Sequence, residues 1–245
     1  MSEGERLAYG IQAVRKALAG GHALRVYLQA DLGPRRLGRL ADDLARSRVP
    51  VERCPAQELE RLTGSAKHQG VAARVSGAPV LGEREALDFI ASLDEPLLLV
   101  LDGITDPRNF GALLRTADGA GVDLVVSARN RNVSMTPVAS KVAAGAAEAL
   151  VRAEVGNLAR FLAELADAGV RIVGTDDAAG SSLFEADLRG PLALVMGAEG
   201  EGMRRLTRER CDLLVSLPMH GVVESLNVSV AAGICLYEVR RQRLA

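Results

Sequence analysis

Apolar residues in this chain come in short unbroken runs separated by helical stretches, and that alternation predicts the architecture. LLLVL (97–101), VDLVVS (122–127), VRIVGT (170–175), LALVM (192–196) and DLLVSL (212–217) are β-branched and leucine-rich with no polar alternation, the mark of strands covered on both faces in a mainly parallel sheet. Toward the amino end, IQAVRKALAG (11–20) predicts a helix, LRVYLQA (24–30) a strand, PRRLGRLADDLARSR (34–48) a helix and GVAARVS (70–76) another strand. The pattern therefore reads as an α/β chain of two units. GAPVLGE (77–83) combines glycine, proline and a change of charge sign, which places a linker there. The expected division is a small domain over 1–77, a linker with a connecting helix over 78–95, and a larger domain over 96–245.

The last helix is expected to begin with Ser225 as its N-cap and Asn227 just inside. Leu226, Val228, Val230, Ala231, Ile234, Cys235, Leu236 and Val239 cover nearly every side of it, so it is expected to be buried on most of its surface, against the sheet and a second subunit. Gly233 in its interior is unfavourable by about 1 kcal/mol, which suggests a close backbone crossing.

Composition narrows the class. The chain has 245 residues, 48% of them hydrophobic, enough for a substantial core. Its longest uncharged run, Ser225–Tyr237, is shorter than the roughly 20 apolar residues of a membrane span, and the first ten residues lack the apolar core of a signal peptide, so cytoplasm is the expected location. Cys54, Cys211 and Cys235 are odd in number and widely spaced, and His22, His68 and His220 never approach them at metal-ligand spacing; neither a disulfide framework nor a zinc site is expected. The net charge of −1 conceals an asymmetry: residues 1–77 carry 13 basic and 8 acidic side chains, the remainder 17 and 23. The basic part is a candidate polyanion binder, the alternative being a solvated arginine-rich surface. Arginine makes up 27 of the 30 basic residues, while aromatics are only 3%, so an RNA contact would rest on phosphate, sugar and arginine rather than on an aromatic stacking platform.

Three glycine-rich turns at strand ends carry the candidate chemistry. In DGITDPRNFG (102–111), Asp106 is placed as an N-cap and Pro107 as the first helical residue; Asn109 follows in the first turn, and Arg115 has small neighbours that leave it room to reach a ligand. The alternatives are an Arg115–Asp118 pair and an Asn109 that satisfies loop backbone. GAEGEG (197–202) has the wrong spacing for a dinucleotide turn, and Glu199 and Glu201 would repel a pyrophosphate, so a neutral or cationic ligand fits better; alternatively Glu199 only favours a following helix, with Arg204 and Arg205 as partners. In LPMHGVVESLNVSV (217–230), a nucleophilic serine at Ser225 is disfavoured because no histidine is positioned to activate it.

NFGALLRTA (109–117), MGAEGEGM (196–203) and LPMHGVVESLNVSVAAGI (217–234) resemble, in order and spacing, the three motifs of the SpoU or TrmH family of RNA ribose 2′-O-methyltransferases. AYGIQAV (8–14) and KHQGVAARV (67–75) extend the resemblance over almost the whole chain. It is strongest to the branch that methylates a guanosine of 23S rRNA in the P loop of the peptidyl-transferase centre; a transfer-RNA methylating branch is the alternative. The resemblance implies a carboxy-terminal SPOUT domain with a deep trefoil knot, a small L30e-like domain for RNA, S-adenosylmethionine as methyl donor with no metal, and a homodimer acting on 23S rRNA or a ribosome assembly intermediate. It also implies donor contacts at Gly197, Leu217, Leu226, Ala198, Met219 and Asn227, and active-site positions at Arg115, Asn109, Glu199, Ser225 and Asn227. Because a guanidinium does not give up its proton at neutral pH, Arg115 is expected to orient the target phosphate and stabilise the emerging alkoxide. Phe110, Gln12, His220 and Glu224 depart from the family pattern without removing a central polar residue. A non-catalytic RNA-binding module and a nicotinamide oxidoreductase are the competing classes; the missing GxGxxG counts against the second.

Overall fold

The computed structural model describes residues 5–19, 23–76, 80–130 and 132–244. Two compact units emerge, one of residues up to 79 together with 144–149, the other of 80–143 and 150 onward.

The first unit runs β1 (Glu5–Tyr9), α1 (Ile11–Ala19), β2 (Ala23–Gln29), α2 (Pro34–Leu37), α3 (Arg39–Arg46), β3 (Val51–Cys54), α4 (Ala56–Thr63) and β4 (Val71–Ser76). Its sheet has the order β1-β4-β2-β3, antiparallel except for the parallel β2–β3 pair. Alternate residues divide between its faces as a pleated strand requires: Val26, Leu28, Val71, Ala73 and Val75 join Val14 of α1 and Leu40 of α3 in one core, while Tyr27 and Ala72 turn to Leu59 of α4 and Cys54. The single helix expected over 34–48 is two helices. Gly38 between them adopts φ 53°, ψ −133°, a backbone state open to glycine and outside the helical basin. Of the expected linker, residues 77–79 lie outside the described residues.

The second unit begins with β5 (Val80–Leu81) and α5 (Glu83–Ala91), then runs β6 (Leu97–Asp102), α6 (Pro107–Ala120), β7 (Leu124–Ala128) and α7 (Pro137–Ala143). After α8 (Ala146–Ala149), which groups with the first unit, follow β8 (Val151–Val155), α9 (Leu158–Asp167), β9 (Arg171–Thr175), β10 (Ser181–Ser182), β11 (Leu192–Gly197), α10 (Arg205–Arg208), β12 (Leu213–Ser216) and α11 (Val228–Leu244). The eight strands are ordered β10-β12-β9-β11-β6-β7-β8-β5, and every pairing is parallel, as the unbroken apolar runs predict. Leu98 and Val100 of β6 pack with Ile90 of α5 and Phe161, Leu162 and Leu165 of α9. Leu97, Leu99 and Leu101, on the opposite face, are also fully buried. From β6 the chain builds outward through β7 and β8, then returns to lay β9, β11 and β12 on the other side. β6 and β11 therefore flank the point where strand order reverses, the usual ligand position in open parallel sheets.

Within the single chain, α11 meets the sheet on one side only, and the side expected to face a second subunit is open. It is buried through Val228, Ala232, Cys235, Leu236 and Val239, where it packs on α6 and β11; on the open side Val230 is 51% and Tyr237 56% exposed. Gly233 is not the site of a tight crossing, since an added Cβ there would meet only Thr116 Cγ2 at 3.5 Å. The tight crossing is at Gly111 of α6, where a Cβ would lie 2.4 Å from the Ala139 carbonyl oxygen of α7.

Candidate functional site

Asp102 and Gly197, the last residues of β6 and β11, are register partners, so the loops that follow leave the sheet side by side. In the first loop, Asp106 is the N-cap of α6: its Oδ1 accepts from the backbone N–H groups of Arg108 at 2.6 Å and Asn109 at 2.9 Å, with Pro107 in the first turn. The cap fixes where the helix starts and sets Asn109 at the open end of the sheet. Asn132 braces the loop from outside, accepting from the Ile104 N–H at 2.6 Å and donating to the Leu101 carbonyl at 3.0 Å.

The second loop folds back on itself. Ala198 and Gly202 exchange backbone hydrogen bonds of 3.0 and 2.9 Å, and Gly200 and Gly202 take φ of 80° and 68°. Gly197 has to be glycine, because a Cβ would lie 2.2 Å from the Gly202 carbonyl carbon. With the 198 and 202 N–H groups satisfied within the loop, neither is free to cradle a phosphate. The two loops are then locked together. Asp102, only 1% exposed, accepts from both the backbone N–H and the guanidinium of Arg204, each at 2.9 Å, so a buried carboxylate meets its charge partner and keeps the loop seated on the strand.

Three polar side chains from the three turns meet at this place. Asn227 Nδ2 donates to Asn109 Oδ1 at 2.9 Å, and Asn109 Nδ2 donates to Glu199 Oε2 at 3.1 Å. Asn227 is itself fixed, its Oδ1 accepting from the Ser229 N–H at 3.0 Å and hydroxyl at 2.6 Å. Its carbonyl also receives the first bonds of α11, from the N–H groups of Val230 and Ala231. Asn227 is thus the cap of α11, in place of the expected Ser225, because the helix starts two residues later than the pattern suggested. Glu199 does not use the partners expected for it: Arg204 is held by Asp102 and Arg205 by Glu209.

Beside this chain of hydrogen bonds lies a cleft of about 300 Å³. Asn109, Ala198 and Glu199 line it, along with Asp102, Asp106, Glu201, Arg204 and Val228. Four carboxylates against one guanidinium give it acidic walls, suited to a ligand with a positive centre and hostile to a pyrophosphate. The remaining sequence-derived positions lie elsewhere. Gly197 closes the loop from beneath; Leu217, Met219 and Leu226 are half-buried in the segment joining β12 to α11. Ser225, His220 and Glu224 are exposed there, and Ser225 makes no side-chain hydrogen bond among the described residues. Arg115 is exposed on α6 and has no ion pair among the described residues. Six positions beyond Asn109, it sits about 240° around the helix, away from the cleft. The side chain of Gln12 lies outside the described residues.

Asp102, Arg204 and Asn132 were missed in the sequence. A lone aspartate ending an otherwise apolar strand was a readable signal for the first; Arg204 was read only as a partner for Glu199, and nothing local marked Asn132.

Comparison with known proteins places the chain in a family. The SpoU rRNA Methylase family matches residues 96–237, and the family described as RNA 2′-O ribose methyltransferase substrate binding matches residues 7–80. The 23S rRNA (guanosine-2′-O-)-methyltransferase RlmB of Haemophilus ducreyi is 46% identical over 97% of this chain and 98% of its own length. Among solved structures, the SpoU methyltransferase AviRb from Streptomyces viridochromogenes, in complex with AdoMet, is 26% identical with a TM-score of 0.76, covering 98% of this chain and 91% of that one. An A. aeolicus TrmH/SpoU tRNA modifying enzyme is 30% identical with a TM-score of 0.56, covering 66% of this chain and 84% of that one.

Proposed function

This chain belongs to the SpoU rRNA methylase family, and from that premise we propose that it methylates the ribose 2′-hydroxyl of a guanosine in 23S rRNA, with S-adenosylmethionine as donor. The observation that carries the reading is the Asn227–Asn109–Glu199 chain of hydrogen bonds, which joins the three motif turns at one acidic cleft. The near full-length match to an rRNA enzyme favours rRNA over transfer RNA, since the tRNA-modifying structure leaves about a third of this chain unmatched. The finer target, a guanosine of the P loop in the peptidyl-transferase centre on free rRNA or an assembly intermediate, belongs to the same proposal.

The acidic cleft, which Ala198 lines, suits the positive sulfonium end of the methyl donor. We assign its binding to Gly197, Ala198, Leu217, Met219, Leu226 and Asn227, the positions that match the family motifs; the knot threading the last of these turns is part of the proposal. When bound, S-adenosylmethionine supplies an electrophilic methyl group for in-line displacement by the ribose oxygen. Asn109 and Asn227, each fixed at both ends, hold the polar wall in one geometry, and alignment of this kind supplies much of the acceleration in methyl transfer. Glu199 offers its free carboxylate oxygen to the ribose hydroxyls, and Ser225 borders the RNA from the third turn. Arg115, exposed and without an ion pair among the described residues, orients the target phosphate and stabilises the charge that develops as the hydroxyl proton leaves. Because Arg115 sits off the cleft side of α6, we assign completion of the site to a homodimer formed through the open side of α11, where Val230 and Tyr237 are exposed.

The test is methyl transfer from labelled S-adenosylmethionine to unmodified 23S rRNA and to bulk tRNA in parallel, with mapping of the product. A 2′-O-methylguanosine in the P loop is the expected result. Labelling of tRNA alone moves the substrate to tRNA, and no transfer to naked rRNA, precursor particles or tRNA overturns the assignment.

A further inference from the structure

The first unit contains an open cavity of about 440 Å³ that the chemistry above does not use. Its floor is the strained turn His68-Gln69-Gly70. Gln69 has φ 55°, a left-handed backbone that side-chain-bearing residues rarely hold unless their surroundings impose it. Here its Oε1 accepts the Ile11 N–H at 3.0 Å. Gly70, at φ 75°, leaves the floor open: a Cβ would meet Leu32 Cδ2 at 2.9 Å and Gln29 Oε1 at 3.4 Å.

The polar groups around this floor are half-satisfied. His68 is 5% exposed, and its Nδ1 accepts from the Gly70 N–H at 3.0 Å, so the neutral ring carries its proton on Nε2. That N–H donates to nothing among the described residues, and His68 lines the open cavity. The Gln69 amide nitrogen is likewise without an acceptor among them. Gln29 spends its nitrogen on Asp31 at 2.7 Å and keeps its oxygen as an acceptor. Arg36 and Glu60, both exposed, line the mouth with one charge of each sign, and neither is in an ion pair among the described residues. Donors and acceptors interleaved with the apolar side chains of Ile11 and Leu32 match the edge of a heterocyclic base, and Arg36 at the mouth matches the phosphate attached to it.

We propose that this cavity takes one unstacked nucleotide of the RNA substrate, its base edge read by His68, Gln69 and Gln29 and its phosphate met by Arg36. Bases splayed from single-stranded loops are the part of RNA that proteins read by hydrogen bonding, with imidazole and guanidinium planes serving where aromatics are few. The inference rests on the reading that this chain acts on RNA, and it adds the place where a base outside the reaction centre is gripped.

The experiment uses the full chain and two fluorescein-labelled RNAs, a hairpin with a single-stranded loop from the 23S P-loop region and a perfect duplex of matched length. Two variants are compared with the parent by anisotropy: Ala66→Trp, which fills the cavity from an exposed turn, and the double change Arg36→Ala with Glu60→Ala. The expected result is loss of about tenfold in affinity for the hairpin, with duplex binding, S-adenosylmethionine affinity and melting temperature unchanged. Equal losses on hairpin and duplex would reduce the site to general charge and overturn the proposal; so would unchanged hairpin affinity in both variants. If the parent binds the hairpin with this dependence yet methylates no RNA, the proposed activity falls and the pocket stands. If methylation proceeds with an unchanged KM for rRNA in both variants, the pocket falls and the activity stands.

Discussion

Asn109 has both ends of its amide committed, one to Asn227 and one to Glu199, and its chemistry cannot be copied by a near-isostere. Asn109→Asp keeps an acceptor for Asn227 but replaces the donor facing Glu199 with a like charge. Methyl transfer at saturating substrates is expected to fall by 10- to 100-fold, the scale of a misaligned reacting group, with S-adenosylmethionine affinity little changed; near-parental turnover would remove Asn109 from the site. A second residue is expected to contribute to stability in a pH-dependent way. Glu238 accepts a two-pronged bond from Arg241, both at 2.8 Å, and another from Gln242 at 2.8 Å. The Arg241 and Gln242 bonds push its carboxyl down to about 2, against an ordinary 4.5. A folded-state value below the unfolded one stabilises the protein above the unfolded value, and that contribution is lost as pH falls through the folded value. Glu238→Gln is therefore expected to lower stability at pH 7 by about 1–3 kcal/mol. In urea titrations the gap should shrink between about pH 4.5 and 2; a gap independent of pH would show that the charge contributes nothing.

Among elements, the two helix glycines separate packing from pattern. Gly111→Ala drives a Cβ to 2.4 Å from a backbone oxygen of α7, where neither side can yield cheaply, and is expected to destabilise by about 1–3 kcal/mol. Gly233→Ala meets only a methyl at van der Waals distance and is expected to stabilise the chain by up to about 1 kcal/mol through helix propensity. Chemical denaturation reads both, and a loss at Gly233 would instead indicate a second copy of the chain packed there. The arginine-rich end of α11 also acts at this scale. Arg240 donates to the carbonyls of Ala120 and Gly121, where α6 ends, and Arg243 to those of Glu95, Pro96 and Gly190. These side chains are clamps on loop carbonyls, with a cation placed where the C-terminus of α6 favours it.

Across the whole molecule, charge and site occupy different units. The acidic cleft lies in the second, while residues 1–77 carry the basic excess. Binding of a polyanion releases counterions and weakens steeply with salt, whereas a small zwitterionic donor releases few. Raising salt from about 50 to 200 mM is therefore expected to increase the KM for rRNA by tenfold or more, with little change in S-adenosylmethionine affinity measured by calorimetry. Equal salt dependence of the two ligands would mean that the basic half does not carry the RNA.

The sequence by itself determined the parallel sheet, because strands buried on both faces need continuous apolar runs. It also determined the start of α6, because Asp106 and Pro107 act on their nearest neighbours. Asn109, Glu199 and Asn227 were legible as candidate polar positions through the resemblance of their turns to the family motifs. Only the tertiary structure decided their partners. Asn109 meets Glu199 across 90 positions and Asn227 across 118, and Asp102 meets Arg204 across 102. Such pairings follow from strand order, which sets β6 beside β11, and no local preference encodes them. The same cause moved the cap of α11 from Ser225 to Asn227. Two polar residues two positions apart are equivalent to a local rule, and the long-range bond to Asn109 distinguishes them in the folded chain.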